Sequence, residues 1–372
     1  MKCIISGSKK FKKLFSIPKI GIFMRTERIM HHNPKKKQIN YFINKDTGTV
    51  QISPKINPAI LYKKDHGSGT VGVTWKKHHS IFFQICKKYI RGNILEIGGG
   101  NNSLLKNKEL SLDKINKFYS LGKNINIVKT SNKLKKFNNF FSEKLLRQKK
   151  IFNVDLVIHS HLFEHIFFPD QFLKSIHSIL NDSGVHIFSI PNMKKMIKSG
   201  MPNAVFFEHP YYYDENIIKI LLERNGFKTI KKFYFGKRHS IIYVTKKIKT
   251  KKNRQYSSYK KNERIFLEYK RILKKNVSRI LKAHKQGKKI YLFGAHIFSQ
   301  IILAYIPNKI IQGIVDNDKK KQNKFLYGTT IKVFSLDKLK KISNVCLYLN
   351  AGDYEKEITN QVLKINKKCL II

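Results

Sequence analysis

Acidic residues are scarce in this chain. Twenty-three Asp and Glu stand against 75 Lys and Arg, giving a formal net charge of +52 over 372 residues. Arginine is scarce too: ten of the basic residues are Arg and the rest are Lys. Proteins that read base edges lean on the bidentate guanidinium, so a lysine excess argues against a nucleic-acid partner. Lysine, asparagine and isoleucine are abundant together, as AT-rich codons give, and we read most of the charge as compositional. What remains is a general attraction to acidic substrates and to the surface of an anionic membrane. Four cysteines, Cys3, Cys86, Cys346 and Cys369, follow no pairing pattern, which fits a reducing, cytoplasmic setting. No apolar run reaches the ~18–20 residues of a membrane span. The basic N-terminal stretch breaks its apolar residues with lysines before any signal-peptide core forms.

What is there reads as alternating strands and helices. The length suggests two or three domains. Residues 1–58 show short apolar runs and turns, the pattern of a small β-rich module. WKKHHSIFFQICKKYI has helical spacing over about 76–90, and NILEIG is a strand entering a glycine turn. FNVDLVIHS reads as a buried strand, DQFLKSIHSILNDSG as an amphipathic helix closed by Gly184, and GVHIFSIPN as a further strand. ENIIKILLERNGFKTIKKFYF reads as helix, glycine stop and strand, followed by the strand SIIYVTKK. Such alternation predicts a parallel sheet covered on both faces, a Rossmann-like α/β domain over 59–247. Residues 248–285 read as a basic linker and a solvated charged helix. KIYLFGAHIFSQ and IIQGIVD then form a second strand–turn–helix–strand unit ending in Asp316, so 286–372 is a second α/β domain.

A glycine loop after a buried strand lets a ligand approach the backbone. In LEIGGGNNS, Glu96 precedes Gly98, Gly99, Gly100 and Asn101, and the dinucleotide fingerprint GxGxxG is not met. An acid followed by glycines two and four places on resembles the entry motif of class I S-adenosylmethionine-dependent methyltransferases. Downstream, Asp155 opens a strand, Glu164-His165 end the next loop, and Pro191-Asn192 end the strand after that, in the order of that family. FFEHPYYYDENIIKILLERNGFKTI, FFSEKLL and FGAHIFSQ with VDNDKKKQNKFLYGTTIKV resemble sugar C-methyltransferases that act on nucleotide-linked keto-deoxysugars. The resemblance covers nearly the whole chain.

It implies S-adenosylmethionine as cofactor, gripped by Glu96, Gly98, Gly99, Gly100, Asn101 and His161. It implies His209 as the base that removes a proton next to a ketone, with Glu208 beside it and His165 as the second candidate. Histidine suits such a base near neutral pH. It implies a nucleotide-linked sugar as substrate, met by His78, Tyr212 and Asn192. Tyr62 and His66 are weak substitutes for a tyrosine expected just upstream of the Trp75-x-x-His78 segment. The family begins with a zinc-binding module; here Cys3, Ser6, Asn44 and Thr47 stand at its ligand positions, and one thiol cannot make a tetrahedral site, so no metal is expected. The acid that should hold the ribose after the second strand is missing; Tyr119 and Ser120 stand there. Two other readings remain open from the residues alone: a non-catalytic relative that binds a nucleotide-sugar or a partner, and a nucleic-acid methyltransferase.

Overall fold

The computed structural model describes residues 1–30, 33–62, 72–99, 104–122, 131–248 and 257–372. At the N-terminus, β1 (Phe11–Gly21), β3 (Lys36–Asn44) and β4 (Val50–Ser53) form an antiparallel sheet, with the two-residue β2 (Thr26–Glu27) between the first two. Phe15 and Ile17, Ile39, Tyr41 and Ile43, and Val50 and Ile52 are buried at the period of two that a half-covered strand requires. The positions of the degenerate zinc module come together. Cys3 Sγ lies 3.3 Å from Thr47 Oγ1, and that hydroxyl donates to Asn44 Oδ1 at 3.0 Å. Ser6 closes its own turn by accepting from the Ser8 amide. Hydrogen bonds thus hold this turn pair. Arg224 fastens the knot to the next domain: it donates to the carbonyls of Ile5 and Ile4 at 2.6 and 2.7 Å and pairs with Asp170.

After α1 (Pro58–Leu61) and α2 (Val73–Lys87) comes a seven-stranded sheet. Its strands are β5 (Gly92–Ile97), β6 (Ile115–Leu121), β7 (Leu134–Phe137), β8 (Val154–Ser160), β9 (Leu180–Pro191), β10 (Phe227–Phe235) and β11 (Ser240–Lys247). The order is β10-β11-β9-β8-β5-β6-β7, with β5 to β9 parallel and β11 antiparallel to both neighbours. Helices α3 (Glu143–Gln148), α4 (Pro169–Ile179), α5 (Met193–Lys198) and α6 (Glu215–Arg224) connect them. Both faces are covered: Leu95, Ile97 and Val157 enter one core, while Ile94, Leu156 and Ile158 enter another.

The expected helix up to Gly184 stops at Ile179, and β9 starts at Leu180. Gly184 is not a helix stop. Val154 pairs with Leu180 and Leu156 with Val185, so residues 181–184 bulge out of the ladder. A Cβ on Gly184 would meet the Asn181 carbonyl oxygen and Leu180 Cδ2, both at 2.8 Å. Asp155 staples the bulge, accepting from Asn181 Nδ2 at 2.8 Å and from the Asn93 amide at 2.7 Å.

The charged helix is α7 (Tyr259–Lys285), and it is not simply solvated. Ile265, Phe266, Tyr269, Leu273, Ile280 and Ala283 are buried along one stripe. Phe266 and Tyr269 pack on Tyr41 of the N-terminal sheet, and Ile280 and Ala283 enter the core of the last domain. That domain comprises β12 (Lys289–Phe293), α8 (Ile297–Leu303), β13 (Ile311–Val315), β14 (Phe325–Leu326), β15 (Val333–Phe334), β16 (Val345–Tyr348), α9 (Glu355–Ile365) and β17 (Leu370–Ile371). Its parallel sheet has the order β15-β13-β12-β16-β17. Asp316 is used internally: it accepts from the Ala295 amide and the Asp318 amide, each at 2.8 Å, closing the Gly294 turn. The three parts interlock through β2 and β14, through Asn350 Nδ2 donating to the Gly200 carbonyl at 3.0 Å, and through Arg238 donating to the Gly352 carbonyl at 2.6 Å. Among the described residues no helix is long and apolar enough to cross a membrane.

Candidate functional site

A cavity of about 1670 Å³ opens between the C-terminal ends of β5, β6 and β8 and the last domain. A single drug-sized ligand needs roughly 300–1,000 Å³, so two ligands fit side by side. One wall is the glycine turn. Gly98 holds φ +74°, and a Cβ on Gly122 at the end of β6 would lie 3.4 Å from Gly98 Cα. The two backbones therefore meet without side chains between them. Glu96 sits beneath the turn and accepts from the Leu104 amide at 2.7 Å, fixing where the chain returns. A Cβ on Gly99 would fall 2.6 Å from the Glu96 carboxyl carbon. Gly99→Ala should therefore push Glu96 off Leu104 and weaken binding of S-adenosylmethionine by about tenfold, roughly 1.4 kcal/mol. Calorimetric titration of the variant checks this; unchanged affinity would show that the turn does not carry the ligand. Gly100 and Asn101, also expected here, lie outside the described residues.

The cavity lining also gathers Tyr62, Glu164, His165, Glu208 and His209. A tight turn presents the last two: the amides of Phe206 and His209 bond each other's carbonyls at 3.2 and 2.9 Å. The segment is pinned on β4, where the Ile52 amide donates to the Pro210 carbonyl and the Tyr212 amide to the Val50 carbonyl. His209 Nδ1 lies 2.9 Å from the Asn203 carbonyl. A neutral imidazole must donate there, which leaves its lone pair on Nε2. Tyr62 Oη lies 2.7 Å and the Glu208 carbonyl oxygen 3.2 Å from His165 Nδ1; the carbonyl only accepts and the phenol, which burial keeps protonated, donates or accepts, so either tautomer of His165 is bonded there. The His165 and His209 rings meet edge to face at 4.5 Å.

Burial sets the charges. It pushes Glu208 up to about 8 and Glu164 up to about 7, because an ionised carboxylate loses its water. It pulls His209 down to about 3, with the Asn203 and Ala204 carbonyls opposing. His161 lines the same cavity; its Nδ1 is 3.2 Å from Glu164 Oε1.

Four expected residues do not line the cavity; Glu96 lies beneath the turn, bonded to the Leu104 amide. Tyr212 is fully buried, with its ring edge-on to Phe266 of α7 at 5.1 Å; it is core, because the pinned segment turns it inward. Asn192 caps α5 by accepting from the Lys195 amide. His78 lies behind Trp75 and His161, with Nε2 2.9 Å from Ser189 Oγ. The positive charge is not concentrated here either: Lys55, Arg238 and Lys321 line the cavity already bonded to Tyr211, Asp353 and Asp316. Tyr62, only a weak candidate in the sequence, bonds His165, and His66 lies outside the described residues. His239 and Trp75 border the cavity without any warning in the sequence beyond their aromatic type.

The central strand order, the glycine turn over Glu96 and a cavity with neutral bases together define a class I methyltransferase that uses S-adenosylmethionine. Residues 68–232 match the family model of a methyltransferase domain, and residues 235–369 match that of the C-methyltransferase C-terminal domain. The two matches follow one another along the chain, a methyltransferase domain and then a C-methyltransferase C-terminal domain. No curated protein sequence matches it. Similar solved structures include an S-adenosylmethionine-dependent methyltransferase from Clostridium acetobutylicum, with 14% identity, 47% of this chain and 93% of that one covered, and a TM-score of 0.34. Another, from Mesorhizobium loti, has 9% identity, covers 47% and 99% of the two chains, and has a TM-score of 0.34.

Proposed function

We propose that this enzyme methylates a carbon atom of a nucleotide-linked keto-deoxysugar in surface-polysaccharide biosynthesis, and that it does so in the cytoplasm. The observation that supports this best is the convergence of Tyr62, His165, Glu208 and His209 on the cavity that the glycine turn also enters. When bound, S-adenosylmethionine supplies an electrophilic methyl group with a neutral sulfur leaving group. Gly98, Gly99 and Gly122 offer backbone to it, and the Glu96–Leu104 bond keeps that cradle open. No carboxylate stands on described β6 for the ribose hydroxyls; the strand runs out in Leu121 and Gly122.

His209 has the role of base. Its Nε2 lone pair takes the proton α to the substrate ketone, and the bound cofactor would supply the methyl group to the carbanion so formed. Tyr62 and His165 hold a second donor close to His209, suited to the developing enolate oxygen. The last domain closes the cavity through Gly294, Asp353 and Tyr354, which in this reading cover the nucleotide-sugar and exclude water. In the same reading the boundaries are 1–58, 59–247, 248–285 and 286–372.

Titration of the folded chain with S-adenosylmethionine and S-adenosylhomocysteine should give micromolar dissociation constants, about −8 kcal/mol. Absence of binding up to millimolar ligand would defeat the proposal. Incubation of a nucleotide-linked keto-deoxysugar in deuterated buffer, without cofactor, should then exchange the α-proton. Methylation without exchange would point to an oxygen or nitrogen acceptor instead.

A further inference from the structure

Beside the proposed base, on the far side of Glu164, three histidines from distant parts of the chain converge. His78 comes from α2, His161 from the loop after β8, and His239 from the turn between β10 and β11. One ring nitrogen from each lies within 4.8 Å of the other two. We infer that His78, His161 and His239 form a binding site for a divalent transition metal of the zinc class, with an open coordination position toward the cavity.

The chemistry of the donor set fits. Three neutral imidazoles suit zinc, and a site of three protein ligands leaves the fourth position for water or another ligand. His161 and His239 line the cavity, so that position faces it. The outer shell is that of a metal-binding histidine set. A ligating imidazole usually gives its second nitrogen to a carboxylate, carbonyl or similar partner. His161 has Nδ1 3.2 Å from Glu164 Oε1 and Nε2 2.8 Å from Ser240 Oγ. His239 has Nε2 3.1 Å from Tyr354 Oη and Nδ1 2.5 Å from the same Ser240 Oγ. Two imidazoles therefore each point one nitrogen at an orienting partner and the other at a shared spot, which the serine hydroxyl now fills. His78 Nε2 meets Ser189 Oγ in the neighbouring strand, and its buried Nδ1 has no hydrogen-bond partner among the described residues.

Trp75 closes the cluster on one side, with ring centroids 4.8 Å from His161 and 4.6 Å from His239. His161 holds φ +49°, a left-handed backbone that costs free energy and aims the ring inward. Burial keeps all three imidazoles neutral, which is the form that donates a lone pair to a metal. Tetrahedral zinc at about 2.0–2.1 Å from each nitrogen places them about 3.4 Å apart. The rings must therefore close by about an ångström, and Ser240 Oγ must turn aside. His239 lies on a turn, where such a shift is least opposed. An occupied site would tie the loop of His161 to Tyr354 and so to the last domain.

The test is calorimetric titration of chelator-treated, tag-free full chain with zinc, and with cobalt read by its visible absorption. The expected result is one ion per chain, bound at about micromolar strength or tighter, with a tetrahedral-type cobalt spectrum. His239→Asn, and His161→Asn with its tolerance of left-handed backbone, should each weaken binding at least tenfold while melting like the wild type in chelator. His209→Ala and Cys3→Ser should bind as the wild type does, since they probe the adjacent Glu164–His165–His209 group and the N-terminal thiol. The inference is overturned if the wild type does not bind, if either Asn variant keeps the affinity, or if His209→Ala or Cys3→Ser loses it.

Discussion

Replacing His209 with alanine lowers kcat for methyl transfer by about 10²–10⁴-fold, the range of a lost general base, and leaves the affinity for S-adenosylmethionine unchanged. His209 enters the cavity from the turn after Phe206, whereas the proposed cofactor cradle is Gly98, Gly99 and Gly122 at the ends of β5 and β6. The Nδ1 bond to the Asn203 carbonyl fixes the tautomer, so the proton acceptor is Nε2. Single-turnover kinetics separate this from a binding defect. His165→Ala tests the alternative assignment: it should lose less, because Tyr62 Oη and the Glu208 carbonyl already engage its Nδ1. A larger loss in His165→Ala than in His209→Ala would move the base to His165.

The second large effect is a pH dependence set by Glu208. Burial raises its carboxyl from 4.5 to about 8, so at neutral pH it is mostly protonated. Above about 8 it is ionised, and its charge, 4.0 Å from His165 Nδ1, stabilises an imidazolium in the His165–His209 pair. His209, which burial makes a weak base, then becomes a stronger one. We expect log kcat/KM to rise with a slope near one below pH 8 and to level off above it, about tenfold per unit. Glu208→Gln should flatten the profile at its low end.

Stability moves the opposite way. A carboxyl whose folded pKa is raised favours its neutral form in the native state, so this stabilisation is complete below about 4.5 and is lost as pH rises through about 8. The melting temperature of the wild type should therefore fall relative to Glu208→Gln between pH 5 and 9, as measured by calorimetry at matched ionic strength. Parallel melting curves across that range would remove Glu208 as the titrating group.

The sequence by itself determined the alternation of strands and helices, because periods of 2 and 3.6 are local and survive in one chain. The glycine turn over Glu96 and the Gly226 stop were equally legible, each resting on a backbone need that few residue types meet. The Gly184 stop was misplaced, because a glycine in a bulge and one ending a helix look alike in sequence. The stripe on α7 was hidden among lysines whose density read as solvation. Only the tertiary structure decided which side chains share the cavity. Tyr62 meets His165 across 103 residues, and His161 meets Ser240 across 79, with no local period linking either pair. It also turned Tyr212 into the core and Asn192 onto a helix cap. Residue types announce what a site can contain, but which of 14 histidines converge is fixed by strand order and by loop closure across the sheet.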